Sequence, residues 1–156
     1  MGGRRCCWPA LGPGCHTGWH HRWSCAVTYR LYPVADDFEA RIRILRADEG
    51  GRLSPPRNGI RWDFAYAERS GELELFMIWP DFVLPSGDSW ASDVPLPVDQ
   101  MLLARMSVLN DTLRLQVHRP RIRPGLRFHC HEGPKVVAVG VVTRITGLDR
   151  ARPAGT

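Results

Sequence analysis

Residues 125–145, GLRFHCHEGPKVVAVGVVTRI, decide the fold of this chain. Leu126, Phe128 and Cys130 fall on one face of an extended backbone, and Arg127, His129 and His131 on the other. Glu132-Gly133-Pro134-Lys135 has the composition of a turn. From Val136 to Ile145 nearly every residue is β-branched or small. That composition suits a strand buried on at least one face, with Ala138 and Gly140 leaving room for close packing. The stretch predicts a β-hairpin, and the rest of the chain is read outward from it.

Going toward the N-terminus, residues 113–117 alternate Leu113, Leu115 and Val117 and read as a strand that follows an Asn110-Asp111 turn. Residues 101–109 fit a short helix or a strand. Alternation of Leu102, Ala104, Met106 and Val108 favours the strand. Residues 80–98 hold four prolines among Asp, Ser and Gly and read as a long loop. Residues 73–79 form another strand, with Leu73, Leu75, Met77 and Trp79 on its apolar face. Residues 60–67 alternate Ile60, Trp62, Phe64 and Tyr66 against Arg61, Asp63, Ala65 and Ala67, and residues 38–45 set Phe38, Ala40, Ile42 and Ile44 against Glu39, Arg41 and Arg43. Six or seven short strands with frequent turns and no long amphipathic helix predict an all-β sandwich or barrel, and closure into a barrel removes exposed edges.

The first 26 residues differ from this body: Cys, His, Trp, Gly and Pro without periodicity. Three readings stand side by side. Cys15, His16, His20, His21 and Cys25 could form a metal knuckle, although paired Cys-x-x-Cys units are absent. The segment could be an unstructured tail. It could also precede the true start, with Val27 as an alternative. Residues 1–37 are accordingly expected to be an unstructured or wrongly included extension, residues 38–148 the barrel, and residues 149–156 a frayed tail.

Composition bounds the function loosely. The formal net charge is +5, and residues 1–26 contribute three arginines and no acid, which leaves the body only mildly basic. Of the 21 basic residues only Lys135 is lysine, as codon bias alone would produce. One of the five cysteines, Cys130, lies in the body, so no disulfide framework is expected. No apolar run has the roughly 20 residues of a membrane span, and no signal-like apolar segment follows Arg4-Arg5. A cytoplasmic protein that takes no membrane partner is the expectation.

Residues 38–148 resemble the third, C-terminal β-barrel domain of elongation factor Tu. The resemblance rests on Glu49-Gly50-Gly51-Arg52 followed by Ser54-Pro55, on Gly59-Ile60-Arg61-Trp62-Asp63-Phe64, and on His118 followed by Gly125-Leu126-Arg127-Phe128, Glu132-Gly133 and Gly140-Val141-Val142. It implies a six-stranded antiparallel Greek-key-type barrel. It also implies a non-enzymatic module that contacts tRNA or another structured RNA, or a translation-related protein. No phosphate-binding Gly-x-x-x-x-Gly-Lys motif occurs, so no bound nucleotide, GTPase activity or other cofactor is expected of this chain.

Carried over by position, the RNA-side residues are Arg61, Asp63, Glu132 and Gly133. The family has Gln at the position of Asp63, Arg at that of His131 and a second Gly at that of Pro134. These changes remove an amide donor, a cation and a backbone N–H in turn. Read structurally, Arg61 and Glu132 are ordinary rim residues. A separate basic feature is Arg114, Arg119, Arg121, Arg123 and Arg127, of which Arg119, Arg121 and Arg123 alternate with Pro120, Ile122 and Pro124. In an extended chain they would form a comb of guanidinium groups for a phosphate backbone. Read structurally, the stretch is a solvated loop. Trp79, Phe82 and Trp90 could supply a protein-interaction surface or fill the barrel end. His129-Cys130-His131 resembles a catalytic or metal site only in text. Strand alternation turns Cys130 inward as a core residue and both histidines outward, with no third ligand in view, so no metal or catalytic residue is assigned.

Overall fold

A computed structural model of the chain describes residues 29–68 and 70–153. The metal-knuckle, tail and alternative-start readings of residues 1–26 fall outside them. Six strands form one closed antiparallel barrel: β1 (Phe38–Ile44), β2 (Asp63–Tyr66), β3 (Phe76–Val83), β4 (Met101–Val108), β5 (Arg127–Glu132) and β6 (Lys135–Ile145). Around the barrel the order is β1-β4-β3-β2-β5-β6, with β6 closing onto β1. Strands β2, β3 and β4 are consecutive neighbours, and β1 lies beside β4 after a long connection, which is a Greek key. Among the described residues no helix is long and apolar enough to cross a membrane.

The core is the set of inward residues that alternation selects. Phe38, Ala40, Ile42 and Ile44 of β1, Leu102, Ala104, Met106 and Val108 of β4, and Phe128 and Cys130 of β5 are all buried. Burial of Cys130 pushes its thiol up to about 12, so it is a packing residue and not a nucleophile. Phe64 stacks on Phe128 with centroids 4.7 Å apart, and Trp62 meets Phe82 edge to face. Phe128 pairs with Gly140 across the β5–β6 hairpin and folds its ring over the glycine. A Cβ on Gly140 would lie 2.3 Å from Phe128 Cζ. Stacking on Phe64 blocks the ring's retreat. Gly140→Ala is therefore expected to cost about 1–3 kcal/mol in a urea melt, and Phe128→Leu in the same chain should recover part of that loss.

Three expectations are corrected. Residues 113–117 are not a strand. Asn110 Oδ1 accepts the Leu113 N–H at 3.0 Å and starts α1 (Asp111–Leu113), which runs on as a π-type turn over Arg114–His118. Leu115 is left exposed, while Arg114 and His118, four residues apart on the helical face, go inside. The apolar face assigned to residues 73–79 points outward: Leu75 and Met77 are exposed, and Ile78 and Phe82 are buried. Both faces of that stretch are apolar, so alternation alone could not orient it. His131 is buried rather than solvent-facing with His129. The ladder steps from Cys130↔Ala138 to His131↔Val136, so Val137 is an extra residue in β6 and is buried beside Ala138. β5 itself stays in register with β2, which keeps His131 on the outer face with Asp63 and 6.2 Å from the His129 ring, covered rather than turned inward.

β3 also continues through Pro80 into the predicted loop. Phe82, in the same phase as Pro80, directs its N–H and carbonyl to the side away from β4. β2 pairs β3 only at Phe76 and Met77. The N–H that Pro80 lacks therefore has no ladder partner to lose. Beyond β2, Asn58 substitutes for a strand. Its Oδ1 accepts from the Phe82 N–H at 2.9 Å, and its Nδ2 donates to the Phe82 and Trp90 carbonyls.

Residues 29–37, expected outside the barrel, pack along it. The Tyr29 and Leu31 N–H groups donate to Asp88 and Ser89. At Asp37 the chain is fastened most tightly. Its carbonyl accepts from the N–H groups of Thr146, Gly147 and Leu148, joining the entry to β1 with the exit from β6. Its carboxylate accepts from Arg114 Nε at 2.7 Å, from the Val108 N–H at 2.8 Å and from Arg152. Through Arg152 the residues after Leu148, expected to fray, are docked as far as this cluster.

Candidate nucleic-acid interface

The residues expected to meet RNA separate into two groups at opposite ends of β2 and β5. At one end lie Arg61, Asp63, Glu132 and Gly133. Antiparallel register sets Asp63 opposite Met77 on β3 and opposite His131 on β5. Continued by two residues, it brings Arg61 opposite Trp79 on one side and Gly133 on the other. The Arg61 guanidinium does lie over the Trp79 indole, 4.5 Å from the ring centroid. Tyr32 packs on the same indole at 5.7 Å. Trp62 points into the core, so Arg61 and Asp63 share the outer face. No carboxylate lies within ion-pair distance of Arg61 among the described residues.

Glu132 is committed to the protein itself. Partial burial works against its ionisation, but the Trp62 indole N–H at 2.9 Å and the Arg52 guanidinium hold its carboxyl below the usual glutamate range. Arg52 was not singled out from the sequence. Its only signal there is the Glu-Gly-Gly-Arg turn, whose pairing with Glu132 requires the fold. Gly133 sits in the β5–β6 turn with φ +57° and is exposed, so its backbone is open to a close approach.

Arg119, Arg121 and Arg123 lie at the other end and do not form an extended comb. The chain turns there, with the Arg121 and Ile122 N–H groups both donating to the His118 carbonyl. Arg119 approaches Asp149 at 3.6 Å. Arg121 lies over the Tyr66 ring at 3.6 Å. It lines a hollow of about 310 Å³ with Glu68, Ser70, Glu72 and Glu74, whose carboxylates repel phosphate. Arg123 remains exposed. Under Arg121, Tyr66 Oη and His118 Nδ1 are 2.8 Å apart. Burial raises the Tyr66 hydroxyl to about 12, and burial together with Arg121 lowers His118 to about 4. The pair is neutral at physiological pH. His118 stood in the sequence among the residues of the family resemblance and Tyr66 at the end of an apolar alternation, and nothing there joined the two.

Of the aromatic residues considered as a protein surface, Phe82 is in the core and Trp90 is half-buried against it. Trp79 alone stays on the outer face, beneath Arg61. No group of three or more His, Cys, Asp and Glu side chains is arranged to hold a metal among the described residues. No known protein-family model matches the chain.

Chemically, the Arg61 end offers one guanidinium held in place by an indole, an exposed glycine backbone and the Asp63 carboxylate. The cation can donate two parallel hydrogen bonds to a phosphate. Asp63 can accept from a ribose 2′-hydroxyl and disfavours a phosphate at its own position.

Proposed function

We propose that this chain is a non-enzymatic binding module, a stand-alone relative of the C-terminal barrel of elongation factor Tu, and that it holds the backbone of a structured RNA at the Arg61 end of β2. The observation that carries this reading is the seating of Arg61 on Trp79, with no acidic partner for the guanidinium among the described residues and the open Gly133 turn on its other side. A cation fixed before binding loses less side-chain entropy when a phosphate arrives. The acidic surroundings of Arg121 make the opposite end the poorer phosphate site. The mild positive charge of the whole chain assists the encounter.

The test is fluorescence anisotropy with labelled tRNA at salt concentrations between about 50 and 200 mM. Binding is expected to weaken with salt. Arg61→Ala should weaken it further and reduce the salt slope by about 1. Arg121→Ala/Arg123→Ala should have the smaller effect. Absence of binding at the lowest salt overturns the proposal. An effect confined to the Arg121/Arg123 variant moves the site to the other end and overturns the assignment to Arg61.

A further inference from the structure

The wall of the barrel away from Arg61, formed by the outer faces of β4, β1, β6 and β5, carries a second surface. Register arranges its side chains in two rows. Leu103 pairs with Arg41, Arg41 with Val141, and Val141 with Arg127. In the adjacent row Met101 pairs with Arg43, Arg43 with Val139, and Val139 with His129. Directly opposed residues lie about 5 Å apart, so apolar and basic side chains alternate across some four strand widths. Met101 is 54% exposed and Leu103 is 38% exposed, far more than packing within one chain requires. Between the rows is a hollow of about 180 Å³, walled by Met101, Val139 and Val141 with Arg43, Arg127 and His129.

The charges on this wall are unbalanced. Arg43 is satisfied by Glu49 and Asp99. Glu39, the carboxylate on β1 beyond the rows, is matched by Arg144. Arg41 and Arg127 have no carboxylate within ion-pair distance among the described residues. The acids around the surface are thus already paired, while Arg127 walls the hollow and Arg41 stands beside its Val141 wall.

We infer that this wall docks an acidic segment of a second protein, one apolar side chain of which enters the hollow between Met101 and Val141 while flanking carboxylates meet Arg41 and Arg127. Other occupants fit less well. A nucleic-acid base would find only the His129 imidazole to stack on among the outward residues of these rows, with no Phe, Tyr or Trp. A second copy of the chain would oppose arginines to arginines without a spare carboxylate from the wall. Residues 1–28 of the chain itself hold three arginines and no acid, and share the wall's charge. Placed across the barrel from Arg61, the surface leaves the proposed RNA site open, and it stands whether or not RNA binds.

The experiment pans the full-length chain against a displayed library of random peptides and maps the strongest binder by NMR on the labelled protein. The enriched peptides are expected to combine Asp or Glu with Leu, Ile, Val or Met. Their shifts should centre on Leu103, Val139 and Val141, and Arg41→Glu/Arg127→Glu should weaken binding at least about tenfold. Leu103→Ser, which leaves the charges in place, should also weaken it. Far-UV circular dichroism checks that each variant is folded. Enrichment of basic or uncharged peptides, or shifts centred elsewhere, overturns the inference. So does tRNA shifting this wall more than the acidic peptide does, or self-association that Leu103→Asp abolishes.

Discussion

Asp37→Ala is expected to lower the unfolding free energy by about 3–5 kcal/mol, because it leaves the buried Arg114 guanidinium without its counter-ion, while the partly exposed Arg152 keeps Asp111. The Arg114 side chain is only 3% exposed. It cannot recover hydration by a change of rotamer. The Val108 N–H, which also donates to this carboxylate, loses its acceptor as well. Against a total stability of about 5–15 kcal/mol for an ordinary domain, the loss is a large fraction. Urea denaturation of the two proteins measures it. Asp37→Asn keeps an acceptor but no charge, and should fall between them. Arg114→Met added to Asp37→Ala should recover part of the loss, since an apolar side chain in that place has no charge to desolvate. A cost below about 1 kcal/mol for Asp37→Ala would mean that water reaches the cluster.

The second large effect is on pH dependence. His118 is fully buried, and its Nε2 has no hydrogen-bond partner among the described residues. Its folded-state value of about 4 lies below the ordinary 6.5, because burial and the nearby Arg121 both oppose a positive ring. Above pH 6.5 the ring is neutral in both the folded and unfolded chain, and its contribution is complete. As pH falls from 6.5 toward 4, the unfolded chain takes up a proton that the folded chain refuses, so stability declines. Below about 4 both forms are protonated and the decline from this group stops. The full difference corresponds to about 3 kcal/mol, and screening near Arg121 brings the expected loss to about 2 kcal/mol. His118→Gln, whose amide can still meet the Tyr66 hydroxyl, should flatten the stability profile across this window. An unchanged slope would show that His118 is protonated inside the fold at little cost.

How much could be read in advance differs from element to element. The face of β1 was legible because it has one apolar and one polar side, and a barrel wall has one dry and one wet side; β4 was read from the alternation of Leu102, Ala104, Met106 and Val108, although Met101 and Leu103 are apolar on its outer side. The β5–β6 hairpin was legible for the same reason as far as Cys130. His131 keeps the face that alternation gives it but is covered, and the bulge at Val137 was not legible, because it is an event between two strands and neither strand carries its signature. β3 was legible as a strand but not in orientation. Residues 113–117 alternate as a strand does, yet the Asn110 cap and the pull of Arg114 toward Asp37 make them helical. That pull links residues 77 positions apart in the chain.

The candidate sites divide in the same way. Arg61 was found by its place in a motif, but its seat on Trp79 depends on the β2–β3 register. The Arg119, Arg121 and Arg123 alternation suggested a comb, and Tyr66 draws Arg121 out of it. Arg41 and Arg127 never stood together in the sequence, and β6 brings both beside Val141. By itself the sequence determined that this protein is an all-β chain of short amphipathic strands with Phe38, Phe64 and Phe128 inside, because the two-residue period of side-chain direction is local. Which strand lies beside which, where a bulge interrupts a ladder, and which charges lose their water were decided only by closing the barrel. Those outcomes depend on contacts between residues far apart in the chain, which no local pattern encodes.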